Sequence, residues 1–334
     1  MNLLHSTAEL PAGSRPVCLA IGVFDGVHLG HQRVIRKAVG DAAECGGLSV
    51  VITFDRHPAA VLAPARVPPL IYPLARKLRA FAELGPDTAC VIHFDKAFSE
   101  IAGEDFIRGL ARDCDRLRSL SVGRAFTFGR GRSGNVALLN ALGKELHFAV
   151  HALAEVSLDG RPVSSTRVRA AVRAGRFALA GRMLGRPYAL CGRIIKGSGV
   201  GRQLGVPTAN LDVAGLVLPP SGVYAARAFV LGRSHAAAVN IGSRPTLAPQ
   251  ETHESHKSYS SYSSVAPPTQ VEAHLLDFTG DLYGEQMELA FLKKLRAEQK
   301  FASLPALREQ ILRDIARARQ LAGDSQASRK NKSR

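Results

Sequence analysis

GVFDGVHLGH, residues 22–31, stands between an apolar run and a helical pattern. The apolar run before it, residues 17–21, has the composition of a buried strand. The helical pattern after it, HQRVIRKAVGDAAECGG, leads to a second apolar run at 48–54. Because a strand, a helix and a strand follow one another in this order, the segment predicts two neighbouring strands of a parallel sheet.

The same stretch carries a candidate phosphate site. A glycine at the end of a parallel strand, followed by a helix, directs backbone N–H groups toward an anion. His28 and His31 lie three residues apart at the helix start, so both can face one phosphate and stabilise charge during attack at phosphorus. Gly22, Phe24 and Asp25 precede them and are predicted to belong to the same ATP-binding block.

A second polar motif, SSTRVR at 164–169, lies at a predicted loop-to-helix junction. Ser164 and Thr166 are candidate phosphate ligands, and Arg167 adds positive charge. A plain helix cap followed by a basic face is the competing interpretation of this motif alone. With HLGH some 135 residues upstream it is similar to the HxGH…STxxR signature of nucleotidyltransferases, which transfer a nucleotidyl group and release pyrophosphate.

The rest of the first half continues the alternation of helices and strands. Further elements are predicted as helices at 73–85, 104–117 and 166–184 and as strands at 90–94 and 120–122. We therefore predict one doubly wound α/β domain over residues 1–185.

The second half has a different texture, with short apolar runs separated by Gly and Pro. This pattern is typical of a small antiparallel β-barrel, predicted here over 186–320 with a closing helix at 303–320. The stretch 247–270 is interpreted as a mobile loop between two strands and 321–334 as a basic, disordered tail.

The barrel begins with a glycine-rich run, GRIIKGSGVGRQLGVPTANL, in which Gly197, Gly199 and Gly201 would let backbone approach phosphates. The order of residues differs from that of a P-loop. Thr208 and Asn210 offer hard oxygen ligands on one side of an extended segment, suited to Mg²⁺ bound with ATP. Further along, a predicted strand carries Glu272, a carboxylate able to accept a proton from a hydroxyl nucleophile.

Composition limits the classes of partner and the cellular compartment that we expect for this protein. The formal net charge of +16 favours anionic partners, and the chain has no apolar run long enough for a membrane span. Five scattered cysteines without a CxxC pair argue against a disulfide scaffold or a zinc site and for a reducing compartment. The charge does not choose between nucleic acid, phosphorylated small molecules and an anionic surface. The motifs taken together with the resemblance given next imply a cytoplasmic enzyme with small-molecule substrates, no membrane partner and an unlikely nucleic-acid partner; a weak homo-oligomer stays open.

Many blocks together resemble the bacterial riboflavin kinase/FAD synthetase family, in the family's order and over about residues 15–316. The first half carries GVFDGVHLGHQRVI, VITFDRHPAAVL, FSEIAGEDFI, TFG and SSTRVR; the second carries GRPYALCGRIIKGSGVGRQLGVPTANL, PPSGVYAARAFV, AVNIGSRPT, VEAHLLDFTGDLYGE and LKKLRAEQKFASLPALREQI.

The resemblance implies a nucleotidyltransferase-type sheet domain followed by a riboflavin-kinase-type barrel. The barrel would convert riboflavin and ATP to FMN and ADP, with Thr208 and Asn210 holding Mg²⁺ and nucleotide and Glu272 as the base. Arg296 matches a family arginine near the flavin. The sheet domain would transfer AMP from ATP to FMN, giving FAD and pyrophosphate, with His28 and His31 at the transferred phosphoryl group.

The sequence departs from the family pattern at one block. Where the family has Asp or Asn before a phenylalanine, this chain has Ala125, and Asn135 stands where the family often has Asp. A riboflavin kinase with an impaired adenylyltransferase is therefore the first alternative. A tRNA-binding HxGH protein is the remote one, disfavoured because aromatic residues are only 6% of the chain and a KMSKS-like run is missing.

Overall fold

The computed structural model describes residues 1–10, 13, 15–197, 199–203, 205–242 and 269–330. The chain divides into two compact units. The first consists of residues 1–172, 178–187 and 215–217, and the second of 173–177, 188–214 and the chain from 218 onward.

The first unit is a parallel sheet with helices between its strands, as the sequence predicted. Its strands and helices are β1 (Asn2–Leu4), β2 (Val17–Ile21), α1 (Leu29–Cys45), β3 (Leu48–Phe54), α2 (Ala59–Leu62), α3 (Leu74–Ala82), β4 (Thr88–Ile92), α4 (Lys96–Ser99), α5 (Gly103–Asp113), β5 (Leu117–Gly123), α6 (Val136–Glu145), β6 (Ala149–Leu153), β7 (Ser157–Leu158), β8 (Arg161–Pro162), α7 (Ser165–Arg173) and α8 (Phe177–Leu184).

The strand order in the sheet is β1-β4-β3-β2-β5-β6, and neighbouring strands are parallel. Every residue of β2 is buried, which explains its uninterrupted apolar sequence. The chain order reverses between β2 and β5, and such a switch point at the carboxyl ends of parallel strands is where ligands bind in open α/β sheets. The stretch at 22–31 therefore leaves the sheet beside this crevice.

One predicted element is divided. The helical pattern at 166–184 forms two helices, α7 and α8, because Gly175 between them has a left-handed φ of 66°. A glycine in that conformation ends a helix, so the predicted helical stretch holds two helices. The periodicity continues past Gly175 only because α8 also presents an apolar face.

The second unit is the predicted antiparallel barrel. Its elements are β9 (Ala189–Ile195), α9 (Val200–Gln203), β10 (Ala209–Leu211), β11 (Gly222–Val230), β12 (Arg233–Gly242), β13 (Gln270–Leu275), β14 (Gln286–Arg296) and α10 (Leu304–Lys330). The strands close in the order β10-β13-β12-β11-β14-β9. On β13 alternate residues, Val271, Ala273 and Leu275, are buried and fill the barrel.

The helix after the barrel is longer than predicted. The helical backbone of α10 continues ten residues beyond the expected end at 320, across most of the stretch predicted to be a disordered tail. Six of the ten residues 321–330 are Leu, Ala, Gln, Arg or Lys, all good helix formers, and extending an existing helix avoids the cost of a new nucleus. The predicted mobile loop at 247–270 lies almost entirely outside the described residues.

The helices can also be compared with the length and apolar character that a membrane-spanning helix needs. In the ranges given above, no helix is both long and apolar enough to cross a bilayer.

Candidate active sites

The backbone of the 22–27 loop is unusual. Phe24, Gly26 and Val27 have left-handed φ values of 52°, 79° and 43°. For a β-branched residue such as Val27 this conformation is strained. Gly22 does not have a positive φ; it is required because a Cβ there would lie 2.8 Å from the Phe24 ring. The tight turn after β2 is therefore made by Phe24, Gly26 and Val27.

Asp25 supports this loop from within. Its buried carboxylate accepts hydrogen bonds from the backbone N–H groups of Ile71 (2.9 Å) and Tyr72 (3.4 Å) and from the Arg169 guanidinium (2.6 Å). The carboxylate is thus fully engaged with protein donors. Asp25 therefore supports the loop, and the ATP-binding role that the sequence suggested for it stays a prediction.

His28 and His31 come together as predicted. Their rings stack with centroids 3.5 Å apart, and His28 is the residue immediately before α1. In both rings Nδ1 is buried and has no hydrogen-bond partner among the described residues. Two adjacent imidazoles with unused nitrogens, at a helix start with free N–H groups, can donate hydrogen bonds to phosphate oxygens.

Burial determines the charge of these rings. It lowers the pKa of His28 from 6.5 to about 4 and lowers the pKa of His31 well below its usual value. The positive charges of Arg169 and Arg186 add to the effect at His28. Both imidazoles are therefore neutral at pH 7 in the unliganded protein, and they would act as hydrogen-bond donors and not as fixed cations.

Phe24 is a supporting residue. Only 2% of it is exposed, and its ring makes edge contacts with His31 at 5.3 Å and with Phe81 at 5.7 Å between centroids. These contacts fix the orientation of the His31 ring from the core side. Direct ATP binding by Phe24, as predicted, would have to come from its backbone.

The SSTRVR motif lies at the start of α7. The Ser164 hydroxyl accepts a hydrogen bond from the Arg167 backbone N–H at 3.2 Å, which is a helix N-cap. Arg167 donates to the carbonyls of Leu158 and Arg161, at 3.0 and 2.7 Å, so its guanidinium is anchored on the β7–β8 hairpin. Thr166 is exposed and has its hydroxyl available to a ligand.

The motif is tied to the histidine loop through a different residue. The Ser165 hydroxyl donates to the Asp25 carbonyl at 3.0 Å, across 140 residues of sequence. The two motifs that the sequence paired are therefore joined at the same end of the sheet.

Lys77, on the buried face of α3, was not recognised in the sequence. Its Nζ donates to the Val23 carbonyl (3.3 Å), the Thr53 hydroxyl (2.9 Å) and the Phe54 carbonyl (2.9 Å). It thereby joins the carboxyl ends of β2 and β3, and burial lowers its pKa to about 8. A lysine among the apolar positions of an amphipathic helix was the signal available in the sequence.

Ala125, the residue that departs from the family pattern, is exposed. Ala125 lies just after β5, at the switch point. Asn135, which stands where the family often has Asp, uses its side-chain oxygen to cap α6 by accepting a hydrogen bond from the Leu138 backbone N–H at 3.0 Å. The side chain of Asn135 therefore serves as the N-cap of α6.

In the barrel, strand register brings the predicted kinase residues together. Asn210 on β10 pairs directly with Glu272 on β13, and Glu272 pairs on its other side with Asn240 on β12. The neighbours of Glu272 along the strand, Val271 and Ala273, point into the barrel, so this row lies on the outer face. Asn240 was not predicted, because a single sequence does not give strand register.

The glycine-rich run packs against the same residues. A Cβ on Gly197 would lie 2.1 Å from the Asn210 amide nitrogen, and one on Gly201 would lie 3.1 Å from the Thr208 hydroxyl oxygen. Gly199 has a left-handed φ of 76°. The run therefore covers the two polar residues closely, as a loop over phosphates must.

Arg296 is bound to the C-terminal helix. Its guanidinium pairs with Asp314 at 2.9 Å and donates to the Ala297 carbonyl at 3.1 Å. Asp314 is buried, so this ion pair fastens the end of β14 to α10. The flavin-binding role implied by the resemblance stays a prediction.

The donors of the barrel site suit a metal that arrives with a nucleotide. Within the described residues there is no cluster of three or more His, Cys, Asp or Glu able to hold an ion alone. The cross-strand pair of Asn210 and Glu272, with Thr208 beside it, offers a few hard oxygens. Mg²⁺ commonly uses such a partial set and completes its shell with phosphate and water.

Known proteins resemble this chain in both halves. The family described as FAD synthetase matches residues 11–167, and the family described as riboflavin kinase matches residues 184–322. A bifunctional riboflavin kinase/FMN adenylyltransferase from Pseudomonas fluorescens is 37% identical over 97% of this chain and 99% of its own length. The enzyme of the same name from Escherichia coli is 35% identical over 97% of this chain and 98% of its own.

A solved structure shares the fold. A crystal structure described as a macrolide-efflux protein from Streptococcus pneumoniae aligns with a TM-score of 0.75 at 25% identity, covering 95% of this chain and 98% of that one.

Proposed function

The chain belongs to the bifunctional riboflavin kinase/FMN adenylyltransferase family, and we propose how its residues divide the two reactions. Its activities are the phosphorylation of riboflavin to FMN and the adenylylation of FMN to FAD, each with ATP. The observation that carries the residue assignment is the cross-strand pairing of Asn210 with Glu272 beside the glycine-rich run.

In the kinase reaction, the ribityl 5′-oxygen of riboflavin attacks the γ-phosphorus of ATP, and Glu272 accepts the proton that this hydroxyl loses. The bond from that phosphorus to the bridging oxygen breaks, and ADP leaves. Gly197, Gly199 and Gly201 allow backbone to cover the phosphates, as the close packing of Gly197 on Asn210 and of Gly201 on Thr208 supports. Positioning and electrostatics supply most of the rate acceleration in phosphoryl transfer.

In the adenylyltransferase reaction, a phosphate oxygen of FMN attacks the α-phosphorus of ATP and pyrophosphate leaves. His28 and His31 donate hydrogen bonds to the oxygens of the transferred phosphoryl group, which gain charge during the attack. The neutral state and the unused Nδ1 atoms of both rings support this role. Ser164, Thr166 and Arg167 line the triphosphate side, where Thr166 is the exposed member.

Mg²⁺ fits the barrel site. Thr208 and Asn210 would hold it, and it would neutralise charge on the ATP phosphates there. We also propose a cytoplasmic protein, supported by five cysteine thiols without a disulfide. Small molecules are its substrates, and a weak homo-oligomer stays a prediction.

A product time course tests the assignment. Purified protein is incubated with riboflavin, excess ATP and Mg²⁺, and riboflavin, FMN and FAD are separated by chromatography. FMN followed by FAD is the expected result. FMN without FAD would instead support the impaired-adenylyltransferase alternative, which the bifunctional relatives and the FAD synthetase match over residues 11–167 do not favour. Absence of FMN would overturn the kinase assignment.

A further inference from the structure

The strained turn before α1 needs an external support. Val27 has a left-handed φ of 43° and directly precedes His28, so any relaxation of Val27 moves the histidine. Strained backbone of this kind persists only where the surroundings hold it. The groups that hold this turn are the side chains that donate hydrogen bonds to the carbonyls of Gly26 and Val27.

Arg186 holds both carbonyls. Its Nη2 donates to the Gly26 carbonyl at 2.8 Å, and its Nη1 donates to the Val27 carbonyl at 3.3 Å. The same Nη1 reaches the Leu184 carbonyl at 3.3 Å, at the end of α8. A planar guanidinium fork can bridge adjacent carbonyls in this way, whereas an ammonium group acts as a point charge.

Two neighbours fix the guanidinium. Its carbon atom lies 5.3 Å from the centre of the Tyr72 ring, which is a cation–π distance. Gln32 repeats the bridge, since its Nε2 donates to the Val27 carbonyl at 3.0 Å and to the Leu184 carbonyl at 2.7 Å. The turn is therefore fastened to the segment after α8 by two side chains.

We propose that Arg186 is a positioning residue for FMN adenylylation: it holds the Gly26–Val27 turn in its strained form and so places His28 at the transferred phosphoryl group. The inference rests on the proposed function of His28. Arg186 lies within residues 184–322, the stretch that matches the riboflavin kinase family, yet its bonds go to the loop of the other reaction.

A competing role is direct contact with substrate. The Nε of Arg186 is buried and has no hydrogen-bond partner among the described residues, so it has capacity for one further acceptor. The two roles differ kinetically. A positioning residue acts on kcat, because misplacement by about 1 Å costs about 100-fold in rate, whereas a ground-state ligand acts on KM.

The test measures both reactions in one chain. Arg186→Ala and Arg186→Lys are compared with wild type for pyrophosphate release from FMN and ATP, and for FMN formation from riboflavin. Arg182→Ala is the matched control, because Arg182 near the end of α8 is exposed and, among the described residues, forms its ion pair with the exposed Asp159. Added guanidinium ion is tested for rescue of Arg186→Ala.

We expect kcat for adenylylation to fall about 10- to 100-fold in both Arg186 variants. KM for ATP and FMN should change little, riboflavin phosphorylation should be unchanged, and guanidinium should restore part of the Arg186→Ala rate. Wild-type kcat in Arg186→Lys, or a rise in KM alone, overturns the proposal.

If Arg186→Ala loses both reactions through unfolding, Arg186→Lys decides by the same criteria. A wild-type chain that forms no FAD would instead refute the proposed function.

Discussion

Asn210 and Glu272 are direct cross-strand partners on the outer face of the barrel. Sixty-two positions separate them in the sequence, but the β10–β13 register brings their Cα atoms opposite each other, where side chains of the same face are in contact range. An amide oxygen for a metal–nucleotide complex thus lies beside the proposed base.

Replacing the proposed base should separate the two activities. Glu272→Gln keeps the size of the side chain but cannot accept the proton, so we expect riboflavin phosphorylation to fall about 10²- to 10⁴-fold. FAD formation from supplied FMN should be unchanged. Chromatography of both reactions checks this, with Glu309→Gln on α10 as the control. Equal phosphorylation by the two variants would contradict the assignment.

Gly197→Ala should weaken the kinase without unfolding the barrel. The added Cβ would lie 2.1 Å from the Asn210 amide nitrogen. The Asn210 side chain is flexible, so it can move away from the new methyl group. The resulting displacement should lower kcat/KM for riboflavin phosphorylation at least about 10-fold.

Gly323→Ala is the control, because its Cβ would meet nothing within 4 Å in the described part of the chain. A Gly197→Ala enzyme as active as this control would show that the loop does not press on Asn210.

Two aspartates with ion pairs of equal length should differ in their effect on stability. Asp25–Arg169 and Asp159–Arg182 both measure 2.6 Å, but the first pair is buried and the second is exposed. Asp25→Ala leaves a buried unpaired arginine and should cost about 3–5 kcal/mol in the free energy of unfolding. Asp159→Ala should cost about 0–1 kcal/mol.

Urea denaturation of the two variants measures the difference. Similar losses in both would show that the Asp25 carboxylate does not support the loop.

The buried histidines should make stability depend on pH. The folded pKa of His28 is about 4 and that of His31 is also well below 6.5, so between about pH 6.5 and 4 the unfolded chain binds more protons than the folded one. Stability is therefore complete above about pH 6.5 and is lost as pH falls toward 4.

Calorimetry at pH 7.5 and 5.0 checks this prediction. The fall in melting temperature should be smaller in a His28→Asn, His31→Asn double variant than in wild type. His5→Asn, at an exposed position, should behave like wild type. If the melting temperature of the double variant fell as much as that of wild type between pH 7.5 and 5.0, groups other than His28 and His31 would cause the pH dependence.

The element types followed from local pattern. Residues 17–21 and 48–54 were predicted as strands and form β2 and β3 with the same bounds, because strands buried on both faces require uninterrupted apolar sequence. The break between α7 and α8 was missed, since helical periodicity does not report the φ of Gly175.

The sequence by itself determined the two-part architecture and the polar motifs at 22–31, 164–169 and 197–210, because periodicity, turn residues and motif spacing are local properties. Only the tertiary structure decided which of these residues act on each other. It turned Asp25 inward to Arg169, set Asn240 beside Glu272 and brought Arg186 to the Val27 carbonyl. Those contacts depend on strand register and on the path of the chain between distant segments, which no local pattern specifies.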